Sequence, residues 1–587
     1  MSINTVYQLF NIIKSNFFSI VFLSIFIIVI QYYINYFNRP SRLPGPFPLP
    51  IIGNIHQIGS DLAAATDEFN KKYGDLYEFY MGSSPIVVIS KPNLVEKVWG
   101  SSSLKTTKFI MRNSYSEGID ELGLGTKGMV LNRNIEVWAI NRKFMNVISS
   151  PPFLRESINL SSKTIDKLFE YWKIIEKEGA QIDISRWIDA LGADIVATTA
   201  TGKGIAATTK LFDELNIENK KSKIQGIWQN GVKFTKAIHK YNESMAFMML
   251  LPKNFRKNFP LIKDLNKNYL DNKDWIYQEL DRIVSEKQKE IENTPLDQPL
   301  EPNILTLLLT TNTERDLDKI SVSKFDRPLT NDEVISILRE VFTGGLDTTS
   351  NSVSFLMFYL AKHREVYLKM RQEVLDVYGT LDNPVLTLES YGKLKYTEAV
   401  INEGIRIFPS VSSIPRAATE DVEFDGYTIK ADTTVYTDFN ALNHNPKYFK
   451  DPEIFNPDRF LTDKESFTKY SYIPFGNGVR VCPGRAWAMA QMKTFLIKLV
   501  CTFDIDSNDK NDTPKYVYRT FQAHRKFNKM PSIRHTFSKY AFSKILPIVP
   551  SRMHLRKVDS MCVKLKSPSD IIIIPLIPNI DPHLDLI

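Results

Sequence analysis

Cys482 stands between turn-forming glycines, two residues after an arginine, in Phe475-Gly476-Asn477-Gly478-Val479-Arg480-Val481-Cys482-Pro483-Gly484. A helix-compatible run, Arg485 to Phe503, follows directly. The unpaired N–H groups and dipole of a helix N-terminus favour an anion, and Arg480 adds a positive charge, so the spacing points to a sulfur held as thiolate. Zinc needs about four ligands. No CxxC pair or nearby His accompanies Cys482, which speaks against a structural zinc centre.

A second chemical centre lies upstream, where Gly344-Gly345-Leu346-Asp347-Thr348-Thr349 interrupts an apolar, helix-periodic run. Adjacent glycines cost on the order of 1 kcal/mol each in a helix. Keeping them there points to function: they let a flat ligand approach the backbone, while the acid and hydroxyl bond locally and open a groove. Trp138 and Arg142 share a helix face at i and i+4, and an indole N–H beside a guanidinium suits a carboxylate. Glu403 and Arg406 share another face. An exposed pair of that kind is worth only about 0–1 kcal/mol.

The elements that must position these groups are partly legible. Thr330-Asn331-Asp332-Glu333 reads as a capping box opening a helix of about 33 residues, roughly 50 Å long. Leu394 to Ile407 reads as a helix stopped before Pro409. Leu76 to Met81 and Ile86 to Ser90 read as strands joined by a turn, with a helix beginning near Asn93. Ser101 to Glu136 is polar and weakly periodic. The run Met245, Phe247, Met248, Met249, Leu250 and Leu251 suits an apolar channel, a membrane contact or plain core alike.

In order along the chain, these motifs resemble the cytochrome P450 family, over about residues 40 to 510. Phe475, Gly478, Arg480, Cys482 and Gly484 fill the fixed positions of its FxxGxRxCxG loop. Gly344 to Thr349 fills its (Ala/Gly)-Gly-x-(Asp/Glu)-Thr-(Thr/Ser) motif, and Phe455 to Phe460 matches its PxRF element. The resemblance implies a mainly α fold with a small β-rich part, holding haem b (iron protoporphyrin IX) with Cys482 as axial iron ligand. It implies Phe475 in the proximal loop and Gly344 and Gly345 beside the haem, with Trp138, Arg142, Arg416 and Arg480 gripping its edge. A histidine often seen next to that third position is replaced by Pro415. Thr348 would hold oxygen and a water, Asp347 would relay protons, and Glu403, Arg406 and Arg459 would form a buried structural network.

The reaction implied is insertion of one atom of O₂ into a lipophilic small molecule. Electrons would come from NADPH through NADPH-cytochrome P450 reductase, with cytochrome b5 as a second donor. Lys143, Arg485 and Lys493 are candidate docking cations, although lysines on a solvated face have the same appearance. One rival is an O₂-independent isomerase or dehydratase of oxygenated lipids on the same fold, against which Asp347 and Thr348 argue. Another is a non-catalytic, anchored haem-binding protein.

Phe17 to Ile30 is apolar except for Ser19 and Ser24, and Tyr32 to Phe37 extends it. The stretch approaches the roughly 20 residues that cross a bilayer. Arg39 and Arg42 beyond it, against Lys14 before it, favour a cytosolic body. Six prolines and glycines between Pro40 and Pro50 then form a stiff spacer. The expected organisation is an anchor (1–37) in the endoplasmic reticulum membrane, a hinge (38–54), a catalytic domain (55–510) and a basic tail (511–587).

Composition agrees with a large globular body: 43% hydrophobic, 24% charged, and only three cysteines in 587 residues, too few for a disulfide framework. The net charge of +8 is local, since Thr513 to Val558 holds eleven Lys/Arg and no Asp/Glu. It supplies no case for a nucleic-acid partner. The family's C-terminal strand hairpin is not visible in Tyr516 to Lys557, where an added tail, an insertion or a mis-read frame compete.

Overall fold

The computed structural model describes residues 17–506 apart from 40, 51, 60, 83, 113–115, 179–180, 216–227, 229, 261, 317–326 and 462–466. Beyond 506 it describes the backbone of residues 515–518, 523–526, 532–535 and 563–564. The architecture is mainly α with a small β-rich part.

The N-terminal helix α1 (Phe17–Phe37) turns apolar side chains outward, with Phe18 86% and Phe22 73% exposed. Its last turns dock on the body. Tyr33 stacks on Phe47 at 5.2 Å, Tyr36 meets Tyr80 edge-on at 5.7 Å, and Arg39 pairs with Glu78. Among the described residues no helix is long and apolar enough to cross a membrane. Side chains of α1 are described without a break only from Val21, so the anchor expected over residues 1–37 lies partly outside them.

Strands β1 (Leu76–Met81) and β2 (Ser84–Ile89) form the hairpin read from the sequence, with Leu76 opposite Ile89. They join β3 (Ser413–Ala417) and β4 (Thr434–Asp438) in one sheet of order β1-β2-β4-β3. The β2–β4 pairing is parallel and β4–β3 antiparallel, which sets Arg416 opposite Val435. Helix α2 (Pro92–Trp99) follows the hairpin, its proline in the first turn where the missing N–H has no partner to lose.

Two helices carry site residues ahead of the central one: α3 (Ile135–Met145), capped by Asn134, and α4 (Gly231–Leu250). The central helix α5 (Asn331–Lys362) has 32 residues and opens on the capping box, Thr330 and Glu333 each accepting from the other's backbone N–H. Despite Gly344-Gly345 it stays helical throughout, because apolar side chains on both halves are buried: Ile337 and Leu338 before the glycines, Leu356 and Leu360 after them, all at 0% exposure. Burial of that kind outweighs a glycine penalty, each such side chain contributing roughly 1.5–3 kcal/mol. Helix α6 (Lys395–Ile407) packs so closely that a Cβ on its Gly404 would lie 2.5 Å from Leu356. Helix α7 (Arg485–Thr502) completes the core, with Trp487 Nε1 donating to Ser157 Oγ at 2.6 Å.

Beyond α7 the described segments are paired strands. Phe503–Asp506 runs antiparallel to Ser532–His535, Lys515–Tyr518 to Ala523–Lys526, and Val563–Lys564 to Gln181–Ile182. A C-terminal hairpin is therefore present where weak periodicity left none visible. Most of the basic segment read in Tyr516 to Lys557 lies outside the described residues.

Candidate functional site

The cysteine loop is shaped by two glycines in the left-handed region, Gly476 at φ 71° and Gly478 at φ 65°. A Cβ on Gly478 would sit 2.3 Å from the Ser101 carbonyl oxygen, so the loop closes against the chain after α2 only with glycine there. The Cys482 N–H donates to the Phe475 carbonyl at 2.9 Å, folding the sulfur back toward the start of α7. Burial pushes the free thiol up, while the backbone N–H groups of Gly484 and Arg485 and the charges of Arg112 and Arg142 pull it down.

The helix terminus thus acts on the sulfur as the spacing implied, but the nearby charge is not the one read from sequence. Arg480 turns away, its Nε, Nη1 and Nη2 donating to the carbonyls of Ile110, Met129 and Asn132 at 2.9, 2.8 and 3.3 Å. Its guanidinium lies 4.1 Å over the Trp138 ring. Arg142 donates to the Val481 carbonyl at 2.7 Å. Trp138 and Arg142 share a face of α3, yet each is engaged by the cysteine loop rather than presented together to a carboxylate.

Around the loop the structure gathers cations. Arg416 is 1% exposed, stacks 3.8 Å over Trp99 and donates to its neighbour Pro415, but its Nη2 has no partner among the described residues. Arg112 donates to the Arg480 carbonyl at 3.4 Å, and its Nε has no partner among the described residues. Burial lowers the pKa of all four arginines, and repulsion from neighbouring arginines adds to it for Arg112, Arg416 and Arg480: Arg480 is held down at about 8, and Arg416 lies well below its ordinary value under the charges of Arg112 and Arg480. Buried like charges demand an anion. Among the described residues Glu340 is the only carboxylate on the adjoining cavity wall, and it is occupied by the N–H groups of Met129 and Val130.

That cavity, of about 350 Å³, lies between the loop and α5. Cys482, Phe475, Gly344, Gly345 and Thr348 line it, as does Arg112; Trp138, Arg142, Arg416, Arg480 and Asp347 are not among its lining residues. No atom comes within 4 Å of a Cβ built on Gly344, so the helix offers open space there. Thr348 Oγ1 donates to the Gly344 carbonyl at 2.9 Å. Asp347 lies 2.7 Å from His239 Nδ1 through one carboxylate oxygen and accepts from Asn242 Nδ2 at 2.9 Å through the other.

Glu403, Arg406 and Arg459 form one network apart from the cavity. Arg406 donates to Glu403 through Nε and Nη2 at 2.7 and 2.9 Å, and Arg459 Nε donates to the same carboxylate at 3.1 Å. Glu403 and Arg406 are fully buried. Lys143 and Arg485 are exposed. Lys493 is not a docking cation: it is buried, its Nζ held by the Tyr391 carbonyl and Glu398 at 2.9 and 2.8 Å.

Sequence reasoning missed Arg112, His239 and Asn242. Arg112 sits in the weakly periodic stretch and is fixed by a backbone bridge from Met111 to Ala417, a contact with no local signature. His239, Asn242, Met245 and Met249 recur at helical spacing on α4, a signal that was available. The Met/Phe run divides by face: Met245 and Met249 line the cavity, Met248 is fully buried, and Phe247 packs 5.3 Å from Tyr269.

Residues 43–528 match the family model described as Cytochrome P450. Tabersonine 16-hydroxylase 1 of Catharanthus roseus is 29% identical over 492 residues, covering 81% of this chain and 88% of the relative. Cytochrome P450 3A18 of Rattus norvegicus is 27% identical over 483 residues, covering 81% and 89%. Tabersonine 6,7-epoxidase isoform 2 of Catharanthus roseus is 27% identical over 502 residues, covering 82% and 90%.

Proposed function

The chain belongs to the cytochrome P450 family of haem-thiolate monooxygenases, and from that premise we propose that it inserts one atom of O₂ into a lipophilic small molecule with electrons drawn from NADPH. The net reaction takes substrate, O₂, two electrons and two protons to hydroxylated or epoxidised product and water. The observation that carries the reading is the cavity itself, with a free thiol on one wall and a glycine-opened helix bearing Thr348 on the other.

The residues present fit haem b. Cys482 would bind the iron, Phe475 and the loop would back it, and Gly344 leaves room for its face, whereas a Cβ on Gly345 would lie 3.3 Å from Val196. The cations of Arg112, Arg142, Arg416 and Arg480, with Trp138 supporting Arg480, would neutralise its propionates; the unpartnered Arg416 Nη2 supports this. When bound, haem supplies the iron chemistry that activates O₂. Around it, Thr348 exchanges its bond to Gly344 for one into the cavity, and Asp347 passes a proton in. Val196, Val341 and Ile405 keep the cavity apolar and exclude water. Glu403, Arg406 and Arg459 brace the segment ahead of the loop.

The electron donor on this reading is NADPH-cytochrome P450 reductase, with cytochrome b5 as a second donor, docking near exposed Lys143 and Arg485. Residues 1–37 anchor the protein by a single pass in the endoplasmic reticulum membrane, body toward the cytosol. The outward apolar side chains of α1 and the arginines after it support that placement. Residues 38–54 form the hinge, 55–510 the catalytic domain and 511–587 the tail. Incubation with reductase, NADPH, ¹⁸O₂ and a lipophilic compound panel tests the reading: products should carry one labelled oxygen. Turnover of oxygenated lipids without NADPH or O₂ would favour an isomerase instead.

A further inference from the structure

We propose that Asn242 determines substrate specificity: its side-chain oxygen accepts a hydrogen bond from a hydroxyl or N–H group on an otherwise apolar substrate. The inference rests on the monooxygenase reading and narrows its substrate class.

Asn242 lies on α4, lines the cavity and is 6% exposed. Its Nδ2 donates twice, to the Thr343 carbonyl at 3.2 Å and to Asp347 at 2.9 Å. A carbonyl and a carboxylate both accept, so turning the amide over would set its oxygen against two oxygens. The orientation is fixed, and Oδ1 is left buried without a partner among the described residues. A buried acceptor is costly until a donor reaches it.

The lining neighbours on its own helix supply none, and the Thr343 hydroxyl is turned to the Glu340 carbonyl. Met245 and Met249, three and seven residues on along the same helix, carry no donor. Their unbranched side chains move readily to admit a ligand. A fixed acceptor that the described residues leave without a partner discriminates against ligands lacking a donor better than the cavity discriminates by size. Because the same amide holds Asp347, the substrate contact is also linked to the carboxylate next to Thr348.

The test uses the holoenzyme and the shift of its Soret band on ligand binding. Probes are 2-decalol, cyclododecanol and farnesol, each compared with its methyl ether and its carbonyl analogue, which accept but do not donate. Alcohols should bind the wild type on the order of tenfold more tightly than either analogue. In Asn242→Leu the three forms of each compound should bind alike. Equal affinities in the wild type overturn the proposal whatever the folding of the variant. So does an alcohol preference that survives in Asn242→Leu, because the donor is then read elsewhere. If no probe binds, the lipophilic-substrate reading falls and this inference falls with it.

Discussion

His239 Nδ1 lies 2.7 Å from the Asp347 carboxylate, joining a side chain 38% exposed to one only 14% exposed. The imidazole therefore touches solvent on one side and, on the other, the acid that precedes Thr348 in α5. A proton taken up at His239 has a direct route to that carboxylate.

The first prediction concerns that route. His239→Ala should leave ligand-induced spectral shifts unchanged and lower product formed per NADPH consumed. A positioned proton donor contributes about 10²–10⁴-fold in general, and water can replace part of this one, so a loss of roughly tenfold is expected. Product and NADPH measured together check it; an unchanged ratio would assign His239 no part in proton delivery.

Arg416 separates haem binding from folding. Its guanidinium is buried with an unpartnered nitrogen, beside two further cations that disfavour its charge. Replacing a poorly compensated buried ion with an apolar group of similar size is neutral or stabilising by about 1–4 kcal/mol. Arg416→Met should leave the haem-free protein as stable as wild type or more so, while lowering the haem-to-protein ratio after purification. Full haem retention would remove Arg416 from the haem edge.

Glu403 should behave in the opposite way. Arg406 is fully buried and depends on Glu403 for two of its bonds, and Arg459 on it for one. Glu403→Ala leaves uncompensated positive charge and should cost about 3–5 kcal/mol. Thermal denaturation would register it, and loss of haem would follow from the collapse of the segment before the loop.

Asp438 gives the body a pH-dependent term. Burial raises its carboxyl to about 6, against an ordinary 3.8, although Oδ1 caps the helix after it by accepting from Ala441 N–H at 2.9 Å. An acid whose folded pKa is raised binds its proton more tightly in the folded state. Stability should therefore be greatest below pH 4 as far as this group is concerned, and fall as pH rises to about 6. A shift of about two units corresponds to roughly 3 kcal/mol. Asp438→Asn should remove that dependence and stabilise the protein at neutral pH, as read by denaturant midpoints across pH 4–8.

Much of this was legible in the residues themselves. The capping box at Thr330 and the cysteine loop are written in consecutive residues, so local rules reach them. The buried triad of Glu403, Arg406 and Arg459 became visible only because two short motifs fall in a fixed order. What escaped was set by tertiary contact. Arg112 enters the cavity because Met111 bridges to Ala417 across more than half the chain, and Lys493 resembles a surface lysine until Tyr391 and Glu398 enclose it. The charge beside the sulfur was misassigned for the same reason: proximity in sequence suggested Arg480, whereas folding brings in Arg112 and Arg142.

The central claim is that Cys482 binds haem iron as a thiolate, and the difference spectrum of the reduced, CO-bound protein tests it most directly. The wild type should give the strongly red-shifted Soret band that thiolate ligation requires, and Cys482→His should lose that band even if haem is retained. A histidine-type band in the wild type, or a red-shifted band persisting in Cys482→His, would contradict the account.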